Sequence, residues 1–197
     1  MRVLLAFFEN SENIWKAGLE DLRKSPVGEK LAEKIFFERK NINPDREWEK
    51  MQKENIRIIS FDSSEYPDLL REISNPPYLL YVKGILNFNA RPCIAIVGSR
   101  KYTAYGSQIA ESFAKELAQA GITIASGMAI GIDTFAHRGA LLENGKTIAV
   151  LGNSLDDGNI YPMINFNLSR EICLSGALIS EYPVETQAGP LTFPARN

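Results

Sequence analysis

Scarcity narrows this sequence before any motif does. In 197 residues it has one histidine, two cysteines and a formal net charge of only −2. With one histidine, no paired carboxylates at a strand end and no cysteine beside a turn, the usual hydrolytic constellations are missing, and no catalytic residue is assigned. Cys93 and Cys173 each fall inside an apolar pattern without metal-like neighbours. They read as buried free thiols of a cytoplasmic protein rather than as a disulfide or a metal site. The near-neutral charge argues against a broadly basic surface, so any polyanion must be held by a local cluster. The apolar run Val3–Phe8 ends at Glu9-Asn10, too short for a signal peptide or a membrane span. Internal repeats and low-complexity tracts are also missing.

What is present is an ordinary globular composition, 45% hydrophobic and 23% charged, enough for one sizeable domain with a smaller appendage. Residues 1–42 read as a small helical domain. Ile14, Leu19 and Leu22 mark one amphipathic helix, and Leu31, Ile35 and Phe36 another. The turn between them, Ser25-Pro26-Val27-Gly28, resembles the hairpin of SAM or helix-hairpin-helix modules, with a plain helix–helix turn as the alternative. Residues 43–92 form a lead-in that extends the sheet. It starts with a polar connector containing Pro44, followed by a charged helix over 46–55 and a strand over 56–61. A short helix over 66–73 and a strand over 78–82 complete it.

From residue 93 to 197 the pattern alternates. Strands are predicted at 93–97, 122–125, 147–151 and 177–180, with helices at 104–120, 132–143 and 163–174. The strands are near-continuous apolar runs, as in a parallel sheet covered on both faces. The fold class is therefore α/β: a doubly wound, mostly parallel sheet with a small all-helical N-terminal domain. In helix 104–120, Ile109, Phe113 and Leu117, flanked by Ala110, Ala114 and Ala118, suggest the core face. Glu111 and Lys115, four apart, suggest the outer face.

Ligands of open α/β sheets bind beyond the carboxyl ends of the strands. Three such ends carry glycine: Gly98-Ser99-Arg100, Ser126-Gly127 through Gly131-Ile132-Asp133, and Gly152-Asn153-Ser154-Leu155-Asp156. Each turn alone reads equally well as a tight βα connection; together they suggest a phosphate pocket with an arginine fork. A dinucleotide is disfavoured. The glycines of the first turn region are Gly98 and Gly106, not G-x-G-x-x-G, and the second strand ends on Ala125-Ser126-Gly127 where a ribose-binding acid should stand. No Walker pattern occurs, and no cofactor is predicted. Asp133 and His137 share a helix face; a catalytic pair and a purely structural role are both open, the structural one favoured. Tyr102 and Tyr105 can stack on bases or pack against a domain seam.

The run Val97-Gly98-Ser99-Arg100, then Tyr105-Gly106, Ser126–Asp133 with Ala136-His137, Gly145–Gly152, Tyr161-Pro162, Gly176–Pro183 and Phe193–Asn197 resembles the DprA/Smf family. Tyr66–Leu70 and Pro76–Gly84 resemble its lead-in, so the likeness covers about residues 56–197. The resemblance implies an extended Rossmann fold and a non-catalytic, cytoplasmic protein of bacterial natural transformation. Such a protein would bind and protect incoming single-stranded DNA and help load the RecA recombinase. Carried over by motif, DNA phosphates would meet Gly98, Ser99, Arg100, Lys101, Ser126, Gly127, Lys146 and Arg196. Gly106, Gly131, Asp133 and His137 would shape the site. The family pattern runs on past Arg196-Asn197, so an incomplete sheet with an open edge, a homodimer weakened or lost, and a reduced recombinase contact are expected. Met163 and Phe166 also stand in a segment where many relatives are basic. The runner-up is a nucleotide or nucleotide-sugar hydrolase of the lysine-decarboxylase-like phosphoribohydrolase type. The Pro-Gly-Gly-x-Gly-Thr run of that type is missing here, and Glu181 is a poor substitute for its catalytic glutamate.

Overall fold

The apolar positions of the first fifty residues are distributed over four short helices. These are α1 (Arg2–Phe8), α2 (Ser11–Lys16), α3 (Leu19–Lys24) and α4 (Glu29–Glu38). Each contributes one buried residue, Leu4, Ile14, Leu22 and Ala32, to a small core. The single helix expected around Ile14, Leu19 and Leu22 is split at Ala17-Gly18, where Gly18 becomes the N-cap of α3. The freed carbonyls of Ile14 and Ala17 accept from the Arg39 guanidinium at 3.1 and 2.5 Å, so the cation closes the end of α2.

Helix α5 (Pro44–Lys53) starts two residues before the expected Arg46. Pro44 begins the helix rather than lying in a connector, because the N–H that proline lacks is one a first turn leaves unpaired. Asn43 Oδ1 accepts from the Asp45 and Arg46 amides instead. In the computed structural model, which describes residues 1–85, 87–89, 92–189 and 192, two compact units divide between Lys50 and Met51, within this helix.

The larger unit is built on six strands, β1 (Ile56–Ser60), β2 (Leu79–Gly84), β3 (Cys93–Ala95), β4 (Thr123–Ser126), β5 (Thr147–Leu151) and β6 (Ala177–Ser180). Their order is β1-β2-β6-β5-β4-β3. Strands β3 to β6 are mutually parallel, while β2 joins β1 and β6 antiparallel. This is the mixed, mostly parallel α/β sheet of Rossmann type that the alternation predicts. Helix α6 (Asp68–Arg71) lies in the β1–β2 connection; α7 (Ala104–Gln119), α8 (Ile132–Leu142) and α9 (Phe166–Ser175) link the parallel strands. One sheet face, with Ile124, Ala149, Leu151 and Leu178, packs against α7, α8 and α9. The other face, with Ile148, Val82, Ala177 and Ile179, gathers Tyr66, Phe61 and Leu70. Among the described residues β1 and β3 are the two edge strands, and no helix is long and apolar enough to cross a membrane.

The structure departs from the expected pattern at four points. The buried stripe of α7 is Ser107, Ala110, Ala114 and Ala118, and Phe113 is exposed. Small residues win because α8 comes too close for a ring: a Cβ on Gly139 would lie 2.2 Å from the Glu111 carbonyl oxygen and 3.0 Å from Ala114 Cβ. Lys115 accordingly pairs across to Glu143, at 3.2 Å, rather than with Glu111. The strand expected over 93–97 is paired only to Ala95, with one further bond from the Ile96 amide to Ala125, because the chain then turns toward the β4–α8 loop. The helix expected from 163 starts at Phe166, after a 3₁₀ turn over Met163–Asn165.

His137 is wholly buried between α8 and the sheet. Thr147 Oγ1 donates its proton to the Ile124 carbonyl at 2.8 Å, so His137 Nδ1, at 2.7 Å, must be the donor to Thr147. Burial pushes the imidazole pKa from 6.5 down to about 3. The folded state therefore binds fewer protons than the unfolded chain below the unfolded value, and its stability declines as pH falls from 6.5 toward 3. Urea unfolding should show that decline as an extra slope of up to about 1.4 kcal/mol per pH unit, which His137→Gln removes. Equal slopes in the two proteins would refute the buried neutral imidazole. Gly139→Ala should destabilise by about 1–3 kcal/mol in the same measurement, through the clash with the α7 backbone.

Candidate nucleic-acid interface

The chain leaves β3 into Gly98-Ser99-Arg100-Lys101 and re-enters helix at Thr103, the N-cap of α7. Two side chains hold this connection from within. Ser99 Oγ donates to the Lys101 carbonyl at 2.7 Å and accepts from the Lys101 amide at 3.0 Å. Thr103 Oγ1 accepts from the Gly106 amide at 3.0 Å. A Cβ at Gly106 would press to 3.3 Å from that hydroxyl, so glycine leaves the cap undisturbed. Tyr102 rests edge-on against Phe135 of α8, with ring centroids 4.9 Å apart. Arg100 and Lys101 are exposed on this frame.

The turn is tied to the next loop by one carboxylate. Buried Asp133, in the first turn of α8, accepts from the Gly127 amide at 3.1 Å and from the Ala129 and Gly98 amides at 3.4 Å each. It thus bridges the connections after β3 and β4. Gly131, at φ +99°, lets the loop backbone press on the turn: a Cβ there would stand 2.3 Å from the Ser99 carbonyl oxygen. The Ile132 amide donates to that same oxygen at 3.3 Å. Thr134 Oγ1 donates to the Ala129 carbonyl at 2.8 Å. Asn165, just before α9, donates to the Met128 carbonyl and to Thr134 Oγ1, both at 2.9 Å.

The structure brings Gly98, Ser99, Arg100, Lys101, Ser126, Gly127, Gly131 and Asp133 together, with Gly106 one turn into α7. Their parts differ. The Ser126 hydroxyl donates to the Ile96 carbonyl at 2.7 Å, and the Gly127 amide serves Asp133, so both belong to the scaffold. Asp133 is the anion in the nest that these amides form. Lys146 immediately precedes β5, so the parallel strands put it at the end of the sheet opposite Arg100. His137 lies in the core, neutral, with its Nδ1 turned to Thr147 rather than to Asp133. Arg196 lies outside the described residues.

The third glycine-bearing turn is not an open nest. Residues Gly152–Asp156 are buried. Asn153 Nδ2 donates to the Ser154 and Asn159 carbonyls, at 2.9 and 2.8 Å. Asp156 accepts from the Glu185 amide at 3.0 Å and from Asn159 at 2.5 Å. Burial pushes the Asp156 carboxyl up, but hydrogen bonds from Ser154, Glu185 and Asn159 outweigh it and hold the group below the ordinary carboxylate range. Thr103, Thr134 and Asn165 position the site without standing out in the sequence. Only Thr103 carried a signal, as a capping residue before a helix. Among the described residues no group of histidine, cysteine or acidic side chains could hold a metal ion.

A family model described as DNA recombination-mediator protein A matches residues 57–197. Protein Smf of Synechocystis sp. is 41% identical, over 100% of this chain and 50% of its own length. DNA processing protein DprA of Streptococcus pneumoniae is 42% identical, over 75% of this chain and 52% of its own length. The X-ray structure of DprA from Streptococcus pneumoniae is similar with a TM-score of 0.79 and 31% identity, over 99% of this chain and 66% of that one. A structure of DNA processing protein A from Helicobacter pylori, described for its single-stranded DNA binding mode, gives a TM-score of 0.62 and 32% identity. That match covers 71% of this chain and 62% of that one. The chain spans about half the length of the curated relatives it matches. The motifs at the strand ends, the mixed sheet and a family match over most of the residues agree: the chain belongs to the DNA recombination-mediator protein A family, with the Smf and DprA proteins.

Proposed function

We propose that this chain binds the backbone of single-stranded DNA at the turn after β3. In this reading it acts in the cytoplasm as a recombination mediator that breaks no bond itself. It shields incoming DNA during natural transformation and helps pass it to a RecA-type recombinase, and its assembly as a homodimer belongs to the same reading. The observation that carries the proposal is the rigid presentation of Arg100 and Lys101. Asp133, Gly131 and Ile132 clamp the backbone beneath them before any ligand arrives. A clamped cationic turn loses little conformational freedom on meeting a phosphate. The arginine fork matches two phosphate oxygens at once. The Helicobacter pylori relative, described for binding single-stranded DNA, supports the choice of polymer.

Contacts of this kind read no base edges, so affinity should vary little with sequence and should fall as salt rises. The net charge of −2 leaves that attraction local to the turn. Arg100→Ala should weaken binding of a labelled oligothymidine about tenfold. It should also reduce the slope of log affinity against log salt by about 0.7, as expected for one lost single-strand phosphate contact. Anisotropy titrations at several salt concentrations measure both, and an unchanged slope would move the phosphate site elsewhere. Asp133→Asn should act differently, because its amide nitrogen would face backbone donors. A loss of about 1–3 kcal/mol in urea unfolding is expected, together with weaker DNA binding. A variant with wild-type stability and affinity would show that the clamp does not matter.

A further inference from the structure

On the helix-covered side of the sheet, a cavity of about 340 Å³ lies between the end of α5 and α9, over β2 and the start of β6. Strand β6 is three strands across the sheet from β3, so the cavity is separate from the Arg100 turn. Its deeper part is built around Lys83, which is largely buried. The Lys83 ammonium donates to Glu54 Oε2 at 2.9 Å, to Asp157 Oδ1 at 2.6 Å and to the Leu155 carbonyl at 3.4 Å. Burial works against this charge, but the two carboxylates outweigh it and hold the ammonium above its ordinary pKa. Lys83 is thus neutralised from within and is not available to a ligand. Glu54 Oε2 also accepts from the Asp157 amide at 3.2 Å. The second oxygens, Glu54 Oε1 and Asp157 Oδ2, have no donor among the described residues.

The mouth has the opposite character. It is lined by Lys53, the last residue of α5, and by Arg170 of α9. Both are exposed, and among the described residues neither makes an ion pair. Cys173, Leu174 and Leu178 add an apolar wall. Cys173 follows Arg170 by three positions and so shares its helix face, and its thiol donates to the Lys83 carbonyl at 3.6 Å. A ligand that complements this lining has an anionic group at one end, hydroxyl or N–H donors at the other, and a body that tolerates apolar contact. The volume stands at the small end of ligand pockets. It holds one nucleotide but not a strand, and an amino acid would leave most of it unfilled.

We propose that this cavity binds a free nucleoside monophosphate, its phosphate on Lys53 and Arg170 and its sugar hydroxyls or base N–H groups on Glu54 and Asp157. The arginine fork and the lysine point charge suit phosphate oxygens. The unengaged carboxylate oxygens suit hydroxyl and N–H donors. None of these residues belongs to the Arg100 turn, so the site stands or falls independently of DNA binding there.

Calorimetric titration of the full chain with AMP, adenosine and inorganic phosphate tests this. AMP should bind at least about tenfold more tightly than either of its parts, because it alone engages both ends of the cavity. The double variant Lys53→Ala/Arg170→Ala should weaken AMP by at least about tenfold and leave adenosine unchanged. Both positions are exposed, so its urea unfolding should match wild type and exclude misfolding as the cause. Arg100→Ala should bind AMP as wild type does. Cys173 gives a second readout from inside the cavity: in a Cys93→Ser background, saturating AMP should slow its reaction with a thiol-specific reagent. No binding of AMP, or binding no tighter than that of phosphate, would overturn the proposal. So would AMP that binds without protecting Cys173. If Arg100→Ala abolishes AMP binding and the double variant retains it, the nucleotide is held at the strand ends and the cavity assignment fails.

Discussion

The Asp133 carboxylate sits where backbone amides from two separate connections converge, and much of the strand-end architecture follows from that one side chain. A buried carboxylate needs donors, and here three amides meet it. In return, the turn after β3 and the loop after β4 cannot move apart. Gly131 is required because the loop must approach Ser99 closely, and Gly98 because Ile132 closes from the other side. The protein has filled with its own anion the nest in which a phosphate could have bound. In the proposed reading, a DNA phosphate meets the exposed side chains of Arg100 and Lys101 instead of the nest.

The helices behind that clamp lie close together. The alanine stripe of α7 and Gly139 of α8 let the two backbones approach, and Gly145 comes up against Ala118 in the same way. Ridges of small residues leave little slack, so the start of α8, where Asp133 resides, is set by the packing of its later turns. The buried hydrogen-bond chain from His137 through Thr147 to Ile124 anchors the same helix to the sheet. Core and site share one framework.

The parts of this fold that were legible in the sequence are those governed by local rules. The strands at 147–151 and 177–180 are apolar runs between turn residues, and they stand as expected. The ends of α7 and α8 fall within a residue of their predicted limits. Local patterns mislead where a distant neighbour decides. Phe113 has the spacing of a core residue, but the approach of α8, which no pattern in α7 reveals, favours Ala114. Pro44 reads as a connector until Asn43 is seen capping the helix. Lys146 looks like a site residue in a linear motif, yet the direction of β5 carries it to the other end of the sheet. The grouping of Gly98, Ser126, Gly127, Gly131 and Asp133 was readable because βα turns of parallel strands share an edge. The internal use of their amides was not, since hydrogen-bond partners far apart in sequence leave no spacing to detect.

The buried imidazole has a consequence for recognition. Histidines are the side chains that ordinarily gain charge between neutrality and mild acid, and in nucleic-acid-binding proteins an added positive charge tightens the grip on the polymer. Here the single histidine is sealed behind Thr147 and carries no proton in that range. The one imidazole of the chain is thus spent on holding α8 to the sheet, and a change from neutrality to mild acid reaches this protein through the stability of its core.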